Sequence, residues 1–106
     1  MITVDEVRNE LKEIRYYYSH KDSIDNASKI IGENILMKRV KLYAEVIMSA
    51  PAKLYELFYS LYVFGHTQQS LADQMCYTRE YVRLANCDLI KFLTNELNKK
   101  EENRYA

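Results

Sequence analysis

The sequence predicts an all-α fold, a small helical domain, on three observations. Only two Gly and one Pro punctuate 106 residues, too few for the many turns that a sheet of this size requires. Apolar residues recur at three- and four-residue spacing rather than alternating, the period of an amphipathic helix. Hydroxyl or acidic residues precede several of these runs, where a side-chain oxygen accepts from a free backbone N–H of a first helical turn. A chain of this length is one domain, large enough for a modest core without staples.

The first helix opens on Thr3, three residues before Glu6. That is the spacing of a capping box, in which hydroxyl and carboxylate satisfy each other's backbone donors, and Asp5 and Glu6 suit the positive helix end. Val7, Leu11, Ile14 and Tyr18 form one apolar face, with Arg8, Glu10, Lys12 and Glu13 elsewhere, and the helix runs to about Tyr18 or Ser19. Three consecutive tyrosines, Tyr16 to Tyr18, cannot share a face. One or two pack and the third stays half exposed.

Ser19 to Ser23 reads as a connection, with Asp22 or Ser23 opening a second helix. Ile24, Ala27 and Ile31 give one apolar line before Gly32; Leu36, Val40, Tyr43 and Ile47 give another after it. Gly32 kinks this helix or divides it, since Gly costs about 1 kcal/mol against Ala in a helix interior. Lys38, Arg39 and Lys41 make the densest basic run. It either touches DNA phosphates or forms a solvated face. Residues 1–50 are the N-terminal helices, for packing or dimerisation.

Pro51 ends that segment and suits the first turn of the next helix, about 51 to 64. Leu54, Leu57, Phe58 and Leu61 make one face, and Tyr55, Tyr59 and Tyr62 a second. A helix apolar on both sides is buried on both sides. It belongs at the centre, as core or dimer interface.

Residues 64–83 read as a helix-turn-helix. Gly65 ends the preceding helix, Thr67 caps a short one through Met75, and Thr78 caps a third that runs to about Leu97. Leu71 and Ala72 face inward from the short helix, Val82, Ala85 and Leu89 from the third. Ala72 is small enough for a close helix crossing. Outward on the third helix stand Arg79, Glu80, Arg83, Leu84, Cys87 and Lys91, with Asn86 at the margin. The segment 51–97 forms the motif, and the charge-alternating residues 98–106 are a flexible tail that frays or trails as a helix extension.

The wording Gly65, Thr67, Leu71, Ala72, Thr78, Arg79, Glu80, Val82, Arg83 and Leu89 resembles the region-4 DNA-binding helix-turn-helix of sigma-70-family factors and of small phage late-transcription regulators of the RinA and ArpU type. The resemblance covers roughly residues 52 to 97. Cys76 stands where that family's turn usually carries Gly, and Leu84 where it has an exposed polar residue. The resemblance implies a transcriptional regulator, phage-encoded, that contacts double-stranded DNA through Thr78, Arg79, Glu80, Arg83 and Leu84. Lys38 and Arg39 are the candidates for phosphate contacts beside it.

Charge bears on this reading. Lys plus Arg equals Asp plus Glu, eight against eight in residues 1–50 and seven against seven in the rest, whereas neutralised phosphates supply most non-specific DNA affinity. A local patch or a homodimer on paired half-sites is then required. The alternative is a protein-binding module that keeps the fold without DNA affinity, such as a phage inhibitor of a host nuclease, anti-CRISPR-like, or of a polymerase. Neutral charge, Leu84 and ten tyrosines favour a host protein partner. An enzyme is disfavoured, because no nucleophile–base pair, phosphate loop or paired carboxylates are recognisable. Cys76 and Cys87 read as free thiols, and with His20 and His66 off any ligand spacing neither metal nor cofactor is assigned. No apolar run approaches the ~20 residues of a membrane span and no signal peptide is recognisable, so a soluble, cytoplasmic protein is expected.

Overall fold

The computed structural model describes residues 1–105, and within them the protein is built of helices alone. In chain order these are α1 (Val4–Ser19), α2 (Lys21–Ile31), α3 (Ile35–Ile47), α4 (Ala52–Phe58), α5 (Gln68–Met75) and α6 (Arg79–Tyr105). Helix α4 continues as one π turn, Tyr59–Val63. At 27 residues, α6 is about 40 Å long at 1.5 Å per residue. It spans the molecule, and α1, α3, α4 and α5 all pack on it.

Thr3 caps α1, its hydroxyl accepting from the Glu6 N–H at 3.2 Å. The capping box closes differently from its usual form, since the Glu6 carboxylate accepts from the Thr3 hydroxyl. Val7, Leu11 and Ile14 are buried as the spacing requires. Among the three tyrosines Tyr17 is the buried one, Tyr18 is half-buried, and Tyr16 is exposed. Tyr17 donates to Asp25 at 2.7 Å and so pins α2.

The connection expected at Ser19 to Ser23 shrinks to His20 alone, because α2 already starts at Lys21. Local bonds make the sharp bend: the Ser19 hydroxyl donates to the Tyr16 carbonyl at 2.9 Å, and the His20 ring stacks on Tyr16. An i,i+4 pair, Lys21–Asp25, steadies the first turn in place of a side-chain cap. Gly32, at φ +88°, divides the segment. A left-handed residue cannot continue the helix, and α3 restarts behind Asn34, whose side chain accepts from the Met37 N–H at 2.9 Å. The apolar line expected on α2 is not buried. Only Ile24 packs, and Ile31 is 80 % exposed, beside Ile30 at 86 % and Ile35 at 74 %.

Helix α4 with its π turn lies between α1 and the α5–α6 pair, burying Leu57, Phe58 and Leu61. In the π turn the Phe64 N–H donates to the Tyr59 carbonyl at 2.8 Å. Tyr55, Tyr59 and Tyr62 are half-buried, and Tyr62 donates to the buried Asn86 at 2.6 Å. Gly65, at φ +78°, ends the segment.

Residues 98–105 trail as an extension of the last helix. Helix α6 continues beyond Leu97, and the Asn98 side chain clasps the Ile2 backbone, accepting from its N–H at 2.9 Å and donating to its carbonyl at 3.1 Å. Lys100 pairs with Glu45 of α3 at 2.6 Å and the N-terminal amine with Glu101 at 3.2 Å. Ala106, at the end of the expected tail, lies outside the described residues. No helix among the described residues is long and apolar enough to cross a membrane.

Candidate nucleic-acid interface

Helices α5 and α6 are joined by three residues, Cys76 to Thr78. Thr67 caps α5, accepting from the Ser70 N–H at 3.0 Å, and Thr78 caps α6, accepting from the Tyr81 N–H at 3.1 Å. Between them Cys76 takes a left-handed conformation, φ 56° and ψ 32°. The Tyr77 N–H then reaches the Ala72 carbonyl at 3.0 Å, the six-residue bond that closes a left-handed helix end. Leu71 and Ala72 of α5 are buried in one cluster with Val82, Ala85 and Leu89 of α6, on which α5 packs. The turn is therefore fixed from both sides, by bonds at its ends and by packing beneath it.

Its geometry leaves one row outward. Arg79, Glu80, Arg83 and Leu84 are all exposed on the first two turns of α6, Leu84 by 51 %. Cys87 is half-buried and Lys91 exposed. Thr78 belongs to this row by position, but its hydroxyl oxygen is occupied as a cap. Arg83 and Glu80 are joined by two bonds, Nε to Oε2 at 2.9 Å and Nη2 to Oε1 at 2.5 Å. The pair holds the Glu80 carboxyl below its ordinary value and the Arg83 guanidinium above its own. Asn86, expected at the margin of this face, is instead buried, because the Tyr62 hydroxyl of the π turn donates to it.

Lys38 and Arg39 do not join this row. Both sit on α3, whose link to α6 runs through Glu45 and Lys100 at the far end of the long helix. Arg39 is committed to two carboxylates of α1, Glu10 at 3.3 Å and Glu13. Lys41 pairs with Glu33 at 2.5 Å, whereas Lys38 is exposed and carries no ion pair among the described residues.

An aromatic cluster flanks the turn on its other side. The Tyr77 and Tyr81 rings lie 4.5 Å apart, and the Lys53 ammonium sits 4.7 Å above Tyr81. The neighbouring Tyr81 is the main cause of the raised Lys53 pKa. Below them opens a groove of about 300 Å³ lined by Leu57, Leu71, Met75, Tyr77, Tyr81 and Val82 among others. Reading α6 for outward polar residues passes over this pair; the signal present was an aromatic i,i+4 spacing at the start of a helix. Cys76 and Cys87 are both free thiols.

Comparison with known families, known proteins and solved structures returns no match to this chain.

Proposed function

We propose that the protein is a sequence-specific regulator of transcription, phage-encoded and acting in the cytoplasm, that binds double-stranded DNA through α5 and α6 as a helix-turn-helix. One observation carries the reading. A three-residue, doubly capped turn holds α5 on α6 and leaves Arg79, Glu80, Arg83 and Leu84 exposed in a row on the first two turns of the second helix. Those are the positions from which a recognition helix reaches base edges in the major groove. Their chemistry suits the task. An Arg donates to both acceptors of guanine, a Glu accepts from cytosine, and an apolar side chain such as Leu84 meets a thymine methyl. Binding opens the Glu80–Arg83 pair, whose exposed setting makes it inexpensive to break. The role is one of binding and not of catalysis, and needs no cofactor.

Selection of bound duplexes from a random pool at near-physiological salt tests the reading. An enriched sequence is expected. Recovery of no enriched sequence would overturn it.

A second reading has its own observation. Met75, Tyr77, Tyr81 and Leu84 are exposed around the α5–α6 turn, and exposed apolar and aromatic side chains of this kind anchor protein partners. On that reading the fold serves as a protein-binding module, directed at a host nuclease or polymerase. Loss of partner capture on changing Tyr77, Tyr81 or Leu84, with no DNA preference in the selection, would favour it.

A further inference from the structure

The net charge of zero conceals a segregation of charge on α1. Arg8, Lys12 and Arg15 follow at i, i+4 and i+7, so they share one face. Glu10 and Glu13 take another, where Arg39 and the Tyr43 hydroxyl bind them. Among the described residues none of the ion pairs involves Arg8, Lys12 or Arg15. The three cations line an open groove of about 460 Å³, whose other wall includes Gln68 at the start of α5 and Asn86 of α6. Asp5 is the one carboxylate lining it, which leaves three positive charges against one negative.

Two further observations bear on this groove, one geometric and one electrostatic. Arg15 donates to the Gly65 carbonyl at 2.8 Å, so α1 is tied directly to the connection that opens α5. The Tyr62 phenol on the groove wall is raised, chiefly by burial; its bond with Asn86, and after that the charges of Arg15 and Arg8, act against the rise. Arg83 stands seven residues, about two turns, before Ile90, which also lines the groove, and is therefore in line with it along α6. The basic groove thus continues into the outward row of α6.

We infer that the groove between α1 and the α5–α6 pair, with Arg8, Lys12 and Arg15 along it, binds the sugar–phosphate backbone of a DNA duplex. The inference rests on the DNA reading proposed above and deepens it, by supplying the sequence-independent contacts that the neutral chain otherwise lacks. Along α1 the three cations span roughly 10 Å at 1.5 Å per residue. On a strand that carries one phosphate per about 3.4 Å of duplex axis, that length is enough to meet consecutive phosphates. Fixed phosphate contacts of this kind set the orientation of a protein on the duplex, and base contacts then specify the site.

The experiment measures fluorescence anisotropy of a labelled mixed-sequence duplex, and of a selected duplex, across a salt series. Arg8→Gln and Lys12→Gln are both exposed changes, and thermal melting verifies that each variant folds. Each is expected to lower the slope of log affinity against log salt by about 0.9 and to weaken binding of both duplexes by about eightfold near 0.1 M salt. Arg8→Lys keeps the slope, and Lys29→Gln on α2 leaves it unaltered. Unchanged slopes in Arg8→Gln and Lys12→Gln, with Arg83→Ala still weakening the selected duplex, overturn the groove and leave the DNA reading standing. Lowered slopes, with Arg83→Ala without effect on sequence preference, support the groove and remove the base-reading role of α6. An unaltered protein that binds neither duplex at any salt overturns both.

Discussion

Arg83 grips Glu80 through two parallel hydrogen bonds one helical turn apart, at 2.9 and 2.5 Å. Both side chains are about half exposed or more, so the pair contributes little to folding. Its consequence falls on recognition. Arg83→Ala should cost about 1 to 3 kcal/mol on a selected duplex and relax preference at one base pair. Glu80→Ala, which frees the guanidinium, should strengthen non-specific binding while altering the preferred site. Competition binding with single-base variants of the site measures both. Equal losses for Arg83→Ala at every sequence would show that Arg83 holds a phosphate and not a base.

Cys76 carries a side chain in a left-handed conformation, φ 56°, which costs an L-residue roughly 1 kcal/mol or more. Cys76→Gly relieves that cost while adding freedom to the unfolded chain. A net stabilisation of a few tenths to about 1 kcal/mol is expected by denaturant titration. A clear destabilisation would mean that the thiol contributes packing which its exposure does not suggest.

The Tyr62–Asn86 bond joins the π turn to α6 at 2.6 Å, with Asn86 buried. Asn86→Ala strands a half-buried donor and should destabilise by about 1 to 3 kcal/mol. Tyr62→Phe with Asn86→Ala should then cost less than the two single changes added together, since both remove the same bond. A double-mutant cycle of unfolding free energies decides it, and simple additivity would count against the bond.

Ile30, Ile31 and Ile35 flank the Gly32 turn almost fully exposed, the kind of apolar surface that marks an interface. A two-fold homodimer on this face is expected, as paired half-sites one DNA turn apart would require. Ile31→Lys with Ile35→Ser should convert it to monomer without loss of helix content. Sedimentation of the unaltered protein as a monomer at roughly tens of micromolar would sink the dimer.

Burial first, and the hydrogen bond to Asp25 second, push the Tyr17 phenol up from 10.0 to about 12. The folded protein thus holds this proton more tightly than the unfolded chain does. The associated stabilisation is complete below pH 10.0 and is lost as pH rises from there towards about 12. Denaturation midpoints should fall in that window, and less steeply for Tyr17→Phe. Identical falls in the two proteins would exclude Tyr17 as a contributor.

What the sequence revealed, and what it concealed, divides along the range of the forces involved. Thr3, Thr67 and Thr78 cap the helices they precede, and Val7, Leu11, Ile14, Leu71, Val82 and Leu89 are buried on the faces their spacing defines. These are consequences of short-range geometry. The exposure of Ile31 was not legible, because an apolar residue of correct period is buried only where another element covers it. The role of Asn98 was hidden for a similar reason, since its partner Ile2 is 96 residues away. At the site, the outward row Arg79 to Leu84 followed from helical phase. By contrast, the commitment of Arg39 to Glu10 and Glu13 depends on how α3 lies on α1. Arg8, Lys12 and Arg15 did carry a local signal, a one-faced basic stripe, masked by the glutamates interleaved with them.

The Asn98–Ile2 clasp bears on the order in which the molecule assembles. Its two halves meet only when nearly the whole chain is present, so the loop it closes is long and its entropy cost high. The α5–α6 pair, by contrast, closes through contacts a few residues apart across the Cys76 turn, and such short-range contacts form first when topology governs speed. Of the six helices α1 precedes the rest, and although α3 and the π turn also pack on it, its contacts with α6 form only once that last helix has been made. The expected signature in pulsed hydrogen exchange is early protection of α5 and the first turns of α6, with the amides of α1 protected last; simultaneous protection of both would show that the first helix finds another shelter on the way.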